Sequence, residues 1–192
     1  MQEQKFFAIL SRMKYINRWG LMRNTEKENL MEHSFLTAVV AHALAEISNA
    51  FFGNHLDAER IAAKALFHDV SEIFTGDMPT PVKYLNPDLK QNYKAVEKLA
   101  ADKLVEQLPE KLQPVYADLL DEGGEEHVFV KYADKLCAYI KCVKEVQFGN
   151  TEFVSAKASI FKELKGYDSR EVDYFLDNCI GAFTLTLDEL RL

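Results

Sequence analysis

Apolar residues recur at spacings of three and four through most of this 192-residue chain, and turn-forming residues separate one such segment from the next. A half-buried strand would need strict alternation, so the pattern predicts helices and leaves little chain for a sheet. The expected helices run over roughly 3–17, 30–51, 57–74, 87–107, 109–121, 126–147, 151–164 and 168–188. Between them stand Gly20, Gly53-Asn54, the Gly76-Asp77-Met78-Pro79-Thr80-Pro81 stretch, Pro109, Gly123-Gly124, Gly149-Asn150 and Gly166. Eight Gly and five Pro are too few for the turns of a sandwich or barrel. There is no internal repeat, and no polar linker is long enough to separate one domain from another. The expectation is an all-α helical bundle forming a single domain over residues 1–192.

Charge narrows the partners. With 30 acidic against 23 basic residues the net charge is -7, so the surface as a whole repels phosphate backbones, and no nucleic-acid polymer is expected to bind. The acidic 121–126 run reads as a solvated loop. Cys137, Cys142 and Cys179 lie within apolar periodic segments, away from metal-knuckle or redox spacings, and are expected to be reduced interior thiols. The first residues lack a basic stretch followed by an apolar run, and nowhere do eighteen apolar residues follow one another. A cytoplasmic protein without a membrane partner is expected.

Several polar residues break the helical pattern. At about 100° per residue, Ala62, Leu66 and Ile73 form the inward stripe of the 57–74 segment, and Asp69 falls about 20° from Ala62. His68 and Glu72 lean to one flank of the same helix. In the 30–51 segment His33 lies within the stripe of Leu36, Val40, Leu44 and Ile47, whereas His42 projects away. Asp134 stands at the margin of the face made by Val130, Ala133, Cys137 and Ile140. Singly, each has an ordinary explanation, such as a core histidine bonded to a carbonyl. Together they place costly groups toward the interior on three helices, and one divalent cation would offset all of them.

The order His33, His68-Asp69, Asp134 resembles the H…HD…D signature of the HD-domain metal-dependent phosphohydrolases. Closer likenesses lie in Asn17-Arg18-Trp19, Met22-Arg23-Asn24, Glu32-His33-Ser34, His68-Asp69-Val70-Ser71-Glu72, the 75–84 segment and Cys137-Ala138-Tyr139-Ile140-Lys141-Cys142. These are similar to the bacterial 5'-deoxynucleotidases of that class, and the resemblance extends over nearly the whole chain. It implies an HD-type bundle with one divalent metal per chain on His33, His68, Asp69 and Asp134. Co2+ is the expected effective ion, with Mn2+, Zn2+ or another first-row ion as alternatives. It also implies Glu72 as catalytic acid/base and Arg18 as the catalytic and phosphate-orienting cation. Trp19, Asp77, Met78, Pro79 and Thr80 would hold the deoxyribose and base, with His33 and Asp69 also facing the substrate. A cytoplasmic homodimer acting on small deoxynucleotides follows from the same likeness.

The residue types suit the reaction. Phosphomonoester hydrolysis needs a nucleophile at neutral pH and neutralised oxyanion charge, and a metal on a mixed His/Asp set serves both. Arg18 adds a planar two-pronged donor. Lack of an evident Asn, Gln or Arg constellation for base edges predicts breadth among bases. Two further readings stand beside this one: an HD phosphohydrolase for triphosphates or an alarmone, and a non-catalytic helical metal-binding protein. The first would call for more Lys and Arg than Arg18, Arg23 and Lys83, and the second would not need Glu72.

Overall fold

A computed structural model describes residues 3–79, 82 and 86–191. Its elements are α1 (Phe6–Leu10), a 3₁₀ turn (Ser11–Tyr15), α2 (Leu30–Phe52), α3 (Ala58–Phe67), α4 (Glu72–Thr75), α5 (Pro87–Val105), α6 (Gln113–Leu119) and α7 (Gly124–Gln147). A 3₁₀ turn (Thr151–Phe153), α8 (Val154–Lys165), α9 (Arg170–Asn178) and a last 3₁₀ turn (Ile180–Thr184) follow. Among the described residues there is no strand, only an isolated antiparallel bridge between Asn17 and Asn29. The all-α expectation is met.

Local chemistry accounts for the helix starts. Asn29 and Glu32 form a capping box, with the Glu32 N–H donating to Asn29 Oδ1 at 3.0 Å and the Asn29 N–H to Glu32 Oε2 at 3.2 Å. Asn86 accepts from the Asp88 N–H, and Pro87 opens α5 in the first turn, where its missing N–H would have had no intrahelical partner. Ser169 caps α9.

Three segments differ from expectation. The 57–74 segment is not one helix: α3 ends at Phe67, and 3₁₀-type bonds take over from Val70 N–H to Phe67 O and from Glu72 N–H to Asp69 O. Its buried face is Ala58, Ile61 and Ala65, while Leu66 is 43% exposed. The first helix stops short of residue 17, because Ile16 turns extended to enter the bridge at Asn17. The final segment is a nine-residue helix and a 3₁₀ turn.

The chain packs as two compact units. One contains residues 1–22, 27–34 and 66–122, the other residues 23–26, 35–65 and 123–192. The first has a core of Phe6, Met13, Leu30, Val70, Leu104 and Leu108, against which Phe67, Ile73 and Tyr116 pack. Edge-on aromatic contacts of Tyr116 with Phe6 at 4.8 Å and Phe67 at 5.7 Å brace it.

In the second unit, Val40, Ala41, Leu44 and Ala45 of α2 pack with Ile61 and Ala65 of α3 and with Val130, Ala133, Cys137 and Ile140 of α7. By length and composition α2 could cross a bilayer, its best 18-residue window having a mean hydropathy of 1.5. That apolarity instead supplies this core. Lys141 and Glu145 form a buried ion pair one turn apart on α7. Glu145 also accepts from the Thr25 N–H, the Thr25 hydroxyl and Asn150 Nδ2 at 3.0, 2.6 and 2.7 Å. Burial alone would raise the Glu145 carboxyl, but Lys141 and Thr25 hold it well below the usual carboxylate range. Cys137 and Cys142 are buried and Cys179 half-buried, with no disulfide among them.

Candidate active site

In the first unit, three stretches distant in sequence meet: 16–19, 28–33 and 68–77. Backbone pairing joins the first two, the Arg18 N–H donating to Glu28 O at 2.9 Å and the Leu30 N–H to Ile16 O at 3.0 Å. Arg18 therefore lies beside Glu28, and its Nε donates to Glu28 Oε1 at 3.0 Å. Its Nη1 reaches Asp69 Oδ2 at 3.1 Å. The capping box fixes where α2 begins and so where His33, in its first turn, is held; the His33 N–H bonds to Asn29 O at 3.0 Å. His33 is 2% exposed.

Asp69 Oδ2 is the convergence point. His68 Nε2 lies 3.1 Å from it and His33 Nε2 3.5 Å, with the two imidazole rings 5.3 Å apart between centroids. Burial works to raise the Asp69 carboxyl, but the neighbouring His68, Arg18 and His33 outweigh it and hold it below the usual carboxylate range. Asp69 is therefore an anion at neutral pH. Two imidazole nitrogens and an ionised carboxylate, drawn together with little solvent, are the donor types that first-row divalent ions prefer. The residues present fit a metal of that kind.

Glu72 opens α4 and is 7% exposed, and its N–H bonds to Asp69 O at 3.0 Å. Its place thus comes from the turn, which brings it next to Asp69 through the backbone, and not from one helical face shared with His68. Val70 and Ile73 anchor that turn in the unit's core. Tyr93 of α5 steadies the end of α4 by donating to Gly76 O at 2.9 Å. Gly76, at φ 74°, reverses the chain in a region that favours glycine.

Asp77 follows, and its Oδ2 accepts the Trp19 N–H at 3.1 Å. Trp19 has φ 57°, which is rare for a bulky residue and costs on the order of 1–3 kcal/mol unless its surroundings hold it. Burial raises the Asp77 carboxyl against the opposing pull of Arg18 and of the Trp19 bond. Met78 and Pro79 continue the turn half-buried, and the Val82 N–H donates to Pro79 O at 2.8 Å. Thr80 lies outside the described residues. Asp134 belongs to α7 in the second unit, half-buried beside core residue Ala133.

The first unit therefore brings together Arg18, Trp19, His33, His68, Asp69, Glu72 and Asp77. Sequence reasoning passed over Glu28. It precedes the helix cap, and no periodicity or motif marks it; its only trace is its place one residue before a recognisable Asn29-x-x-Glu32 box.

Residues 5–183 match the sequence profile described as 5'-deoxynucleotidase YfbR-like. The chain is 52% identical to 5'-deoxynucleotidase YfbR of Escherichia coli O1:K1 / APEC over 193 aligned residues, covering 99% of this chain and 97% of that protein. It is 51% identical over the same coverage to 5'-deoxynucleotidase Ent638_2835 of Enterobacter sp. strain 638. Among solved structures it is similar to an HD-domain phosphohydrolase from Listeria innocua, with a TM-score of 0.82 and 27% identity, covering 93% of this chain and 88% of that one. The cyanophage S-2L HD phosphohydrolase DatZ, bound to dA and one catalytic Zn2+ ion, shares the fold at a TM-score of 0.67 and 21% identity over 94% of this chain and 98% of its own.

Proposed function

Because the chain belongs to the YfbR-like 5'-deoxynucleotidase family of HD-domain phosphohydrolases, we propose that the residues gathered on Asp69, with Asp134, form its catalytic metal site. The protein is a metal-dependent enzyme that hydrolyses deoxyribonucleoside 5'-monophosphates to deoxyribonucleoside and phosphate. Family membership leaves the non-catalytic, triphosphate and alarmone readings without support. The observation that carries the site is the meeting of Arg18, His33 and His68 on one carboxylate oxygen, with Glu72 buried one turn away.

In this reading His33, His68, Asp69 and Asp134 hold the ion, Asp134 entering by its place in the H…HD…D order. When bound, the ion supplies Lewis acidity and lowers the pKa of a coordinated water toward neutrality. Glu72 takes the proton from the attacking water and returns one to the departing 5'-oxygen as the phosphorus–oxygen bond breaks. Arg18 neutralises charge on the nonbridging oxygens, its guanidinium oriented by Asp69 and Glu28. Trp19, Asp77, Met78, Pro79 and Thr80 hold the sugar and base. Co2+, Mn2+ and Zn2+ all suit the His/Asp donors.

Selectivity for deoxyribose rests in this reading on Trp19 near C2' and on the Asp77 carboxylate bonded to the 3'-hydroxyl. The Trp19 backbone is left-handed and tied to Asp77; with its ring packed near C2' in this reading, a 2'-hydroxyl would overpack the pocket and lose its water partners, each costing about 1–3 kcal/mol. The test is phosphate release from a panel of 5'-deoxyribo- and 5'-ribonucleotides, with Trp19→Ala alongside. The native protein is expected to favour dAMP over AMP in kcat/KM and to vary little among bases, and Trp19→Ala to narrow the gap chiefly by admitting AMP. Equal kcat/KM for AMP and dAMP in the native protein would remove the sugar-pocket assignment.

The enzyme is further proposed to be cytoplasmic, without nucleic-acid or membrane partners, and homodimeric. Of the aromatic residues near the end of the chain, Phe175 is in the core, Phe183 packs against that core and Tyr174 stacks on Phe51, whereas Phe161 is 43% exposed. Phe35 and Val39 of α2, 65% and 50% exposed, add apolar area that a second copy would cover. Light scattering at micromolar concentration is expected to give twice the chain mass, and a monomer mass would refute the dimer.

A further inference from the structure

Glu28 lies beside both Arg18 and His33. Its Oε1 accepts from Arg18 Nε at 3.0 Å and lies 3.9 Å from His33 Nδ1. His33 presents its other nitrogen, Nε2, to Asp69. One carboxylate oxygen thus faces the far side of a metal-ligand candidate and the near side of the phosphate-orienting arginine. Its own placement is over-determined: Glu28 O accepts the Arg18 N–H, the Asn17–Asn29 bridge is adjacent, and the Asn29–Glu32 capping box starts the next turn. The side chain is 18% exposed, so its charge is only partly screened.

We infer that Glu28 is a positioning residue that orients His33 for the metal and Arg18 for the phosphate at once, so that the affinities for both depend on one carboxylate. The inference rests on the functional reading above and deepens it. At 3.9 Å the Glu28 carboxylate acts on the His33 ring through its charge, not through a hydrogen bond, and a carboxylate on the far side of a ligating imidazole favours the orientation that keeps Nε2 toward Asp69. Against Arg18 the same charge, together with Asp69, holds the guanidinium plane so that its fork is aligned before a phosphate arrives. Asp69 contacts the same two groups from the other side, so Arg18 and His33 are each held between two acids. Glu32, which stands next to His33 in the sequence, is spent on the helix cap and is exposed.

Two binding measurements test this without turnover. The apparent Kd for Co2+ is measured by competition with a chromophoric chelator, and the Kd for inorganic phosphate by calorimetry at saturating Co2+. Glu28→Ala is expected to weaken each by about tenfold or more, the usual scale for losing a carboxylate behind a metal-bound histidine. Glu28→Gln keeps the shape and a hydrogen-bond acceptor for Arg18 Nε. It is therefore expected to recover most of the phosphate affinity while metal affinity stays weakened. Arg18→Ala is expected to weaken phosphate only, and adding Glu28→Ala to it to lower metal affinity without further loss of phosphate affinity. Metal and phosphate affinities within about twofold of native in both Glu28 variants would overturn the inference, a change far below the tenfold scale. Loss of only one of the two affinities in Glu28→Ala would overturn the shared role. If Glu28→Ala melts early, the isosteric Glu28→Gln decides through its metal affinity alone. A native protein that binds metal and phosphate but releases no phosphate from dAMP would instead overturn the functional reading, leaving the Glu28 result to stand by itself.

Discussion

Exhaustive dialysis against a chelator is expected to bring phosphate release from dAMP to background, and addition of Co2+, Mn2+ or Zn2+ to restore it. Uncatalysed phosphomonoester hydrolysis is among the slowest reactions in water, and the largest enzymatic accelerations, up to about 10²¹-fold, are needed for it. Arg18 can neutralise some of the charge, but the site also needs a nucleophile at pH 7. The donors at hand are two imidazoles and an Asp69 carboxyl already ionised at neutral pH. Asp69→Ala is expected to lose metal as well as activity, and to leave Arg18, His33 and His68 without the oxygen on which all three converge. Metal content by mass spectrometry, read beside activity, checks both. Full turnover in rigorously metal-free protein would sink the metal assignment.

Glu72→Gln is expected to lower kcat by on the order of 10²- to 10⁴-fold, the range for a general acid or base. The substitution keeps size and backbone bonding, so the Glu72 N–H still reaches Asp69 O and the turn keeps its shape. Metal content and thermal stability should therefore remain native. If metal content fell in step with activity, Glu72 would be a ligand and its assignment as proton carrier wrong. The position argues for proton transfer: a 7% exposed carboxylate has few waters of its own, so a substrate water near Asp69 becomes its natural exchange partner.

The helices and the residue types of the site were legible in the chain because both signals are local. Three- and four-residue spacing marks α2, α5 and α7 to within a few residues, and Asn29-x-x-Glu32 and Pro87 mark starts that the backbone obeys. His33 was correctly expected inside. Reasoning from one continuous helix failed at 57–74. Asp69 is half-buried, and it is placed beside His33 and Arg18 by the break after Phe67 and not by lying on an apolar stripe.

The order of metal-type residues along the chain, and the chemistry they are fit for, belong to the sequence itself, since side-chain identity decides which ions and protons a group can handle. How those groups meet was decided by the fold. Arg18 contacts Asp69 across 51 residues and Trp19 contacts Asp77 across 58, distances over which no periodicity carries information. The left-handed backbone at Trp19 and the pairing of Glu28 with Arg18 are likewise products of packing. Each costs conformational freedom locally, and persists because the 16–18 and 28–30 backbones bond to each other and the core of Phe6, Leu30, Val70 and Leu104 holds the surrounding chain in place.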